Sequence, residues 1–562
     1  VWVDNSTLGN NFFSSGLAAV DQMSDSPTAN WCTWNNIDTS FNDNVTSDGN
    51  LVITTASPGY TRFQLGTFGV TSGKWEWKWT PTASLSDGGI GVDDGTSQAA
   101  TGASSGAFSS QSANGFIYRS NGQKLVGGSV SSYGATFAAD DVIRCQIDLD
   151  ADTPTIEFFK NDASQGSINM NAGVTYFPCQ FSADASLVTV VDFGQVSFTA
   201  AAGFNLLNTS NLAEPTITDG SKYFHNQLYT GTGSSGLAIT NDANFGDFQP
   251  DFLWLAPRSN GDNHVMWDVA RGTTSRIKSN SSGAADVDGT ALLTFESDGF
   301  DLDTTDANFN GSSRTYVAWQ WKTQGGAGSS NTDGSINTTT TSVNQTAGFS
   351  INTYTGTGSN ATVGHGLGAV PKMILIKDTT NTESWIVYHE AVGNDGNLYL
   401  NLTNAKATQA VFQDTTPTSS VFSLGTTDGA NKASGVHVAY CFAEIPGYSS
   451  IGSYTGNGST DGPFVYTGFR PSFVLCKNIV NAGNDWPIDD SARSPFNPDK
   501  ARLWADVTNT ENTSAVTLDL LSNGFKVRTT NGEHNTSGSS HLYLAFAENP
   551  FGGDGIAPVT AR

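Results

Sequence analysis

The sequence predicts an all-β fold: one β-sandwich followed by three related β-sandwich modules. Three observations predict it. Short alternating or aromatic runs bounded by Gly, Asn and Asp dominate the chain, as in Leu51-Val52-Ile53-Thr54, Trp75-Glu76-Trp77-Lys78-Trp79 and Thr155-Ile156-Glu157-Phe158-Phe159. No helical periodicity runs beyond about two turns, and short helical pieces are expected only near 204–207 and 514–521. The third observation is a hexapeptide that returns twice: Tyr229-Thr230-Gly231-Thr232-Gly233-Ser234, then Tyr354-Thr355-Gly356-Thr357-Gly358-Ser359, then Tyr454-Thr455-Gly456-Asn457-Gly458-Ser459.

Each copy of the hexapeptide is followed by a proline that opens an apolar run, at Pro250, Pro371 and Pro471, and each module closes on an apolar strand, around 316–321, 436–442 and 542–546. The tyrosines lie 125 and 100 residues apart, a period that holds a whole small domain. The expected organisation is an irregular lead-in at 1–35, a β-sandwich at 36–200, a linker at 201–222 and a first module at 223–324. A Gly/Ser/Thr-rich flexible linker at 325–345 is expected to precede modules at 346–447 and 448–552, with a tail at 553–562. Ile445-Pro446-Gly447-Tyr448 joins the last two modules almost directly, which predicts that they are rigid relative to each other. In the sandwich, Trp75, Trp77 and Trp79 alternate with Glu76 and Lys78, predicting one dry face and one wet face.

Charged residues make up 14% of the 562, well below the common share of about 25%, and polarity comes from Gly, Asn, Ser and Thr instead. Aromatics at 11% supply several cores and set the chain apart from a disordered one. Acidic residues outnumber basic ones 52 to 26. The net charge of -26 repels phosphate backbones and anionic bilayers, which argues against nucleic acid and membrane partners. No stretch approaches the roughly 20 apolar residues of a membrane span. The five cysteines are scattered and odd in number, so buried free thiols are expected rather than a disulfide framework. The sequence carries no signal-peptide pattern and opens on Val1 rather than Met, so an upstream segment is expected.

Residues 60–200 resemble the SPRY domain, a concanavalin-like β-sandwich. The resemblance rests on Ser72-Gly73-Lys74-Trp75-Glu76-Trp77, Ile90-Gly91-Val92, Gly115-Phe116-Ile117-Tyr118, Ile147-Asp148-Leu149-Asp150, Ile156-Glu157-Phe158-Phe159-Lys160-Asn161 and Tyr176-Phe177-Pro178. One departure is Ala139-Asp140-Asp141, where the family often has Gly-Asp; a changed turn is expected there. Beyond it, Asp192-Phe193-Gly194-Gln195 and the modules with Tyr-Thr-Gly-x-Gly, Pro-Asp-Phe-x-Trp and Ser-Asp-Gly-Phe resemble SPRY-containing tail or fibre proteins of tailed bacteriophages.

Few residues propose themselves for chemistry. Asp148-Leu149-Asp150-Ala151-Asp152 places oxygens at alternate positions, as calcium loops do, yet lacks the glycine and distal glutamate of an EF-hand, and a strand ending in a hairpin is the better reading. Asp301-Leu302-Asp303-Thr304-Thr305-Asp306 reads the same way. The seven histidines show no zinc-binding spacing, so no metal and no cofactor are expected. No Gly-x-Ser-x-Gly elbow sits in an α/β context, and the chain is not expected to be an enzyme. Within the repeats Asp268-Val269-Ala270-Arg271 aligns with Asp490-Ser491-Ala492-Arg493, with His264, Trp385 and Trp486 in register. Asp-x-x-Arg predicts a clasp in which Asp268 holds Arg271 and Asp490 holds Arg493. The second module has His389 and Val392 there, so its loop is expected to differ.

The resemblance implies a virion structural protein, a tail fibre or appendage that attaches to the host surface through multivalent weak contacts. The implied partners are a host cell-surface glycan or protein, other virion proteins and further copies of the chain, a trimer being favoured; the implied location is the virion surface. Tyr118, Arg119 and Tyr133 are the candidate ligand-binding residues. A non-adhesive decoration or shaft protein and a glycan-degrading tail spike are the alternatives.

Overall fold

The computed structural model describes residues 30–38, 44–55, 62–83, 85, 87–96, 112–182, 184, 187–196, 198–241, 248–287 and 293–553. The lead-in as far as residue 29 and the tail beyond Gly553 lie outside the described residues. The chain divides into two compact units, one built on the sequence through Ala213, which Gly553 joins, and one on Glu214–Gly552.

Among the described residues the first unit holds two sheets. One runs in the order Asn44–Ser47, Val52–Thr55, Val188–Asp192, Lys74–Pro81, Ile143–Asp148, Thr155–Lys160 and Ala163–Asn169. The other runs Arg62–Leu65, Phe177–Ser182, Gly88–Asp93, Phe116–Arg119, Gln123–Val126 and Ser129–Ser132. Trp75, Trp77 and Trp79 are buried, and the Trp79 indole donates to Gln180 of the facing sheet at 2.6 Å. The predicted wet face is not wet. Glu76 is fully buried, accepting from Gln146 at 3.1 Å and the Ala201 amide at 2.8 Å, with Arg144 at 3.3 Å. The reason is that the chain returns over this face. Asn205–Leu206 pairs in parallel with Trp75 and Glu76, and Lys78 lies over the Phe198 ring. The helical piece expected at 204–207 is therefore a strand, and the first half of the expected linker belongs to the sandwich. At the departure from the family pattern Asp140 adopts φ +68°, so the turn keeps the backbone conformation a glycine would take.

In the second unit each repeat contributes a large antiparallel sheet with one strand order. The opening strands are Phe224–Thr230, Phe349–Thr355 and Ser449–Thr455. Each pairs with its closing strand, Thr315–Trp321, Val436–Phe442 or Ser540–Pro550, which pairs in turn with the proline-led strand, Phe252–Pro257, Met373–Asp378 or Phe469–Asn478. The hexapeptide organises one end of each repeat. The hydroxyls of Tyr229, Tyr354 and Tyr454 donate to carbonyls of short helices, at Phe309, Ala430 and His534, over 2.6–2.8 Å. The buried amides of Asn310, Asn431 and Asn535 accept from the N–H of Thr232, Thr357 and Asn457 and donate to the Ser234, Ser359 and Ser459 carbonyls. A Cβ at Gly231, Gly356 or Gly456 would come within 2.4 Å of a carbonyl oxygen in every case, which is why glycine recurs there.

The proline-led strands are dry on both faces. Leu253 and Leu255, Ile374 and Ile376, and Val474 and Cys476 pack into a core private to each repeat. Their neighbours Phe252 and Trp254, Met373 and Leu375, and Phe473 and Leu475 join one core common to all three. At its centre the equivalent rings of Trp321, Phe442 and Phe546 meet pairwise, with centroids 5.6, 6.0 and 6.5 Å apart. The expectation of successive modules laid head to tail is thus corrected: the repeats close around a merged core. The flexible linker at 325–345 is corrected with it. Thr340–Asn344 pairs with the second repeat's opening strand, Ile336 bridges to Val363, and hydroxyls bond to one another, Thr323 to Ser342 at 2.6 Å and Thr338 to Thr341 at 2.8 Å. Ile217, in the other half of the expected linker 201–222, belongs to the merged core. Leu518–Leu521 is a strand rather than a helix, because buried Leu518 and Leu520 alternate with less buried neighbours.

A merged core predicts a common unfolding event. Phe442→Ala should cost about 3–5 kcal/mol in chemical denaturation, and hydrogen exchange should show amide protection falling in all three repeats together. Loss confined to the second repeat would contradict the shared core.

Candidate functional site

The residues nominated for ligand binding in the sandwich are occupied internally. Tyr118 is fully buried and its hydroxyl donates to the Ala135 carbonyl, so it has no surface to present; this corrects its nomination. Arg119 is nearly buried and paired with Asp87 at 2.8 Å. Tyr133, half-buried, donates to the Gly166 carbonyl and stands edge-on to Tyr118 at 5.3 Å. The aspartates of the calcium-like runs have similar duties: Asp148 takes Lys74 at 2.6 Å, Asp150 accepts from the Gly73 amide, and Asp306 caps a short helix and takes Arg276 at 3.0 Å. Among the described residues no group of His, Cys, Asp and Glu is placed to hold a metal ion, and all five cysteines are free and buried.

Both Asp-x-x-Arg pairs meet at 2.6 Å, Asp268 with Arg271 and Asp490 with Arg493. In each, the aspartate also accepts the arginine's own backbone N–H, which closes the turn. Burial opposes the charge on both guanidinium groups, but the adjoining carboxylate more than offsets it and raises their pKa. In the second repeat His389 closes the loop instead, its Nδ1 accepting from the Ala391 N–H at 3.0 Å. Burial pushes this imidazole down to about 4, so it is neutral at ordinary pH.

These three equivalent positions carry a cyclic set of contacts. Tyr440 of the second repeat donates to Asp268 of the first at 2.6 Å, and Trp319 of the first donates to Asp490 of the third at 2.9 Å. His389 of the second reaches the Tyr543 carbonyl of the third at 3.3 Å. A second layer runs round the same ring. The Trp385 indole donates to the Lys278 carbonyl, Trp486 to Tyr399, and the Ser279 hydroxyl to Ala505. The seam between first and third repeats adds a bidentate pair from Arg258 to Glu511 at 2.8 and 2.9 Å.

Buried charge collects at the junctions. Lys377 and Lys477 occupy equivalent positions and donate to carbonyls of the preceding repeat, at Ser282 and Leu402. Burial brings both ammonium groups down to about 8. Asp506 is buried beside Lys477, and burial lifts its carboxyl to about 7. Its Oδ1 accepts from the Trp486 N–H, while Oδ2 has no protein partner. The equivalent amides of Asn280 and Asn401 accept from the His264 and Trp385 N–H groups with no charge at stake.

A cleft of about 450 Å³ in the second repeat is walled by Glu383, Asp428, Asn404 and Tyr399, with Leu402 at its rim and buried Ile386 among its lining. Lys432 lies between the two carboxylates, 2.9 Å from Glu383 and 3.2 Å from Asp428. In the other repeats the equivalent residues pair with side chains of their own repeat. Strand pairing makes Arg276, Asn397 and Arg502 equivalent, and the buried asparagine of each short helix makes Asn308, Gly429 and Glu533 equivalent. In the third repeat Glu533 takes Arg502 at 2.9 Å and the Trp504 indole at 3.1 Å. In the first, Asn308 bonds Asn263 while Arg276 bonds Asp306. In the second, Asn397 and Gly429 supply neither group. Sequence reasoning passed over this cleft, because its signal is two short residues that stand out only against the other repeats.

Two substitutions test the junctions. Arg493→Ala leaves Asp490 buried without its cation and should cost about 3–5 kcal/mol, read as a lower denaturation midpoint; an unchanged midpoint would remove the clasp from the account. Asp506 binds its proton more tightly folded than unfolded, so its contribution to stability is present in full below about pH 4 and is lost as pH rises to about 7. Asp506→Asn should therefore stabilise the protein at pH 8 and leave it unchanged at pH 3.5, measured by thermal melting at both.

No curated protein matches the sequence. Among solved structures the chain is similar to the SPRY domain of human HERC1, at 18% identity and TM-score 0.21 over 32% of this chain and 100% of that one. It is similar to a human SPRY domain at 13% identity and TM-score 0.21, over 29% of this chain and 100% of that one. A third similar structure is stonustoxin, at 14% identity and TM-score 0.24, over 29% of this chain and 27% of that one. Residues 219–550 match the model described as "Domain of unknown function (DUF7483)", a span that takes in all three repeats and more than half of the sequence. The chain belongs to the DUF7483 family.

Proposed function

We propose that this protein is a structural component of a tailed-phage virion, a tail fibre or appendage that attaches to the host surface through weak contacts repeated over several copies. The phage assignment draws on the phrases shared with SPRY-containing tail proteins; the attachment role draws on the second repeat. One observation carries it: of three equivalent positions around a common core, two hold side chains paired within their own repeat and the third borders a cleft. A recess on so heavily packed a support is suited to holding a ligand in a fixed geometry. The charged groups elsewhere in the ring are spent on holding repeats together, which favours binding over turnover.

The merged core also moves the source of avidity. With this cleft built into only one of the three repeats, its multivalency comes from copies of the chain, and a homotrimer would present three. Linking weak sites in this way can raise apparent affinity by roughly two to four orders of magnitude. The high negative charge keeps such an assembly soluble. The presence of two carboxylates in one cleft favours a second reading, a glycan-degrading spike, since such enzymes work with a pair of acids.

Labelled protein should bind intact host cells saturably, without release of reducing sugar from isolated host polysaccharide. Sugar release would assign the spike activity instead, and absence of any cell binding would leave a decoration or shaft role.

A further inference from the structure

We infer that the cleft of the second repeat binds one neutral saccharide unit, a ring carrying several hydroxyls and no charge. The inference deepens the adhesive reading and rests on it only for where the saccharide comes from. Its volume of about 450 Å³ suits a small ligand. The chemistry of the walls selects the class. Glu383 and Asp428 offer acceptor oxygens, with side chains 27% and 58% exposed. Lys432 already stands between them as their cation. What those oxygens lack is hydroxyl donors, and neighbouring hydroxyls of a sugar ring provide them in pairs. Asn404 adds an amide that both donates and accepts. Tyr399 and the exposed rim residue Leu402 supply an apolar surface for the C–H face of the ring.

Specificity follows from the same groups. Two carboxylates against one lysine leave the cleft negative, within a chain whose net charge is -26, so uronic and sialic acids are repelled. The comparison among repeats points the same way. At the corresponding place the third repeat satisfies the Glu533 carboxylate with its own Arg502 and Trp504, whereas the second has Gly429 lining an accessible space, with the shorter Asn397 buried. A Cβ at Gly429 would stand 3.1 Å from Ile386 and from the Ser384 carbonyl, both cleft residues, so a side chain there grows against the cleft wall.

The test uses the full chain and methyl glycosides of neutral hexoses, with methyl glucuronide and methyl sialoside as acidic counterparts, followed by saturation-transfer NMR. At least one neutral glycoside should bind with a Kd of about 1–10 mM and the acidic ones should not. Tyr399→Ala should weaken binding by roughly tenfold or more; its carbonyl, which holds Trp486, stays in place. The paired change Asn397→Arg with Gly429→Glu, which installs the third repeat's plug, should abolish binding. Should that pair fail to fold, Tyr399→Ala decides alone. Binding of no neutral glycoside, a preference for the acidic ones, or unchanged affinity in Tyr399→Ala would overturn the inference. Cell attachment separates the two readings. A plugged or Tyr399→Ala chain that loses the sugar but still attaches to cells sinks the cleft assignment and spares adhesion. A wild-type chain that binds the sugar but no cell does the reverse.

Discussion

A β-sheet with two apolar faces cannot be solvated on either, and this constraint governs the second unit. Each proline-led strand carries an unbroken apolar run, so the small sheet of its own repeat covers only half of what must be buried. The remaining face has one kind of surface available that is equally apolar and equally shaped, the matching face of another repeat. Three such faces converge on the rings of Trp321, Phe442 and Phe546. None of the repeats has a complete core by itself, and their stability is common property.

Buried polarity follows from that enclosure. Bringing three sheets together removes water from the clasps, the junction lysines and most histidines, so each group needs a partner inside the protein. Where the partner is a full opposite charge, as Asp490 is for Arg493, the guanidinium keeps its charge. Where it is a carbonyl or an amide, neutral forms gain ground, as for His389 and Asp506. The three repeats solve one geometric problem with different chemistry: an arginine clasp, an imidazole and a second arginine clasp at the same corner.

Much of this was legible in the sequence, and the reasons are physical. The hexapeptide was readable as a repeat because its tyrosine and glycines are fixed by contacts that recur at nearly the same distances. The Asp-x-x-Arg clasp was readable because it is local, three residues apart on one turn. The merging of the cores was harder, since strand periodicity reports which residues are apolar and not what covers them. A signal was nonetheless present in Phe252-Leu253-Trp254-Leu255, where no polar residue interrupts the alternation. The 325–345 segment misled because Ser and Thr look like solvent-facing linker, whereas their hydroxyls here bond to one another and to backbone. Glu76 misled because alternation puts it opposite the tryptophans and gives no hint of the strand laid across it. The candidate cleft stayed hidden because an absence, glycine where a neighbour has glutamate, has no motif.

The cyclic order of the junction contacts has an evolutionary side. In an open array of repeats, a duplicated copy finds a ready surface at the end of the stack, and copy number drifts. Here the described repeats meet in a cycle: the first repeat meets the second, the second the third, and the third returns to the first through Trp319 and Asp490. A fourth copy would have no free seam, and losing one would expose two. In this chain the closed set of contacts fits three repeats, and the differences among them lie in the side chains of individual corners.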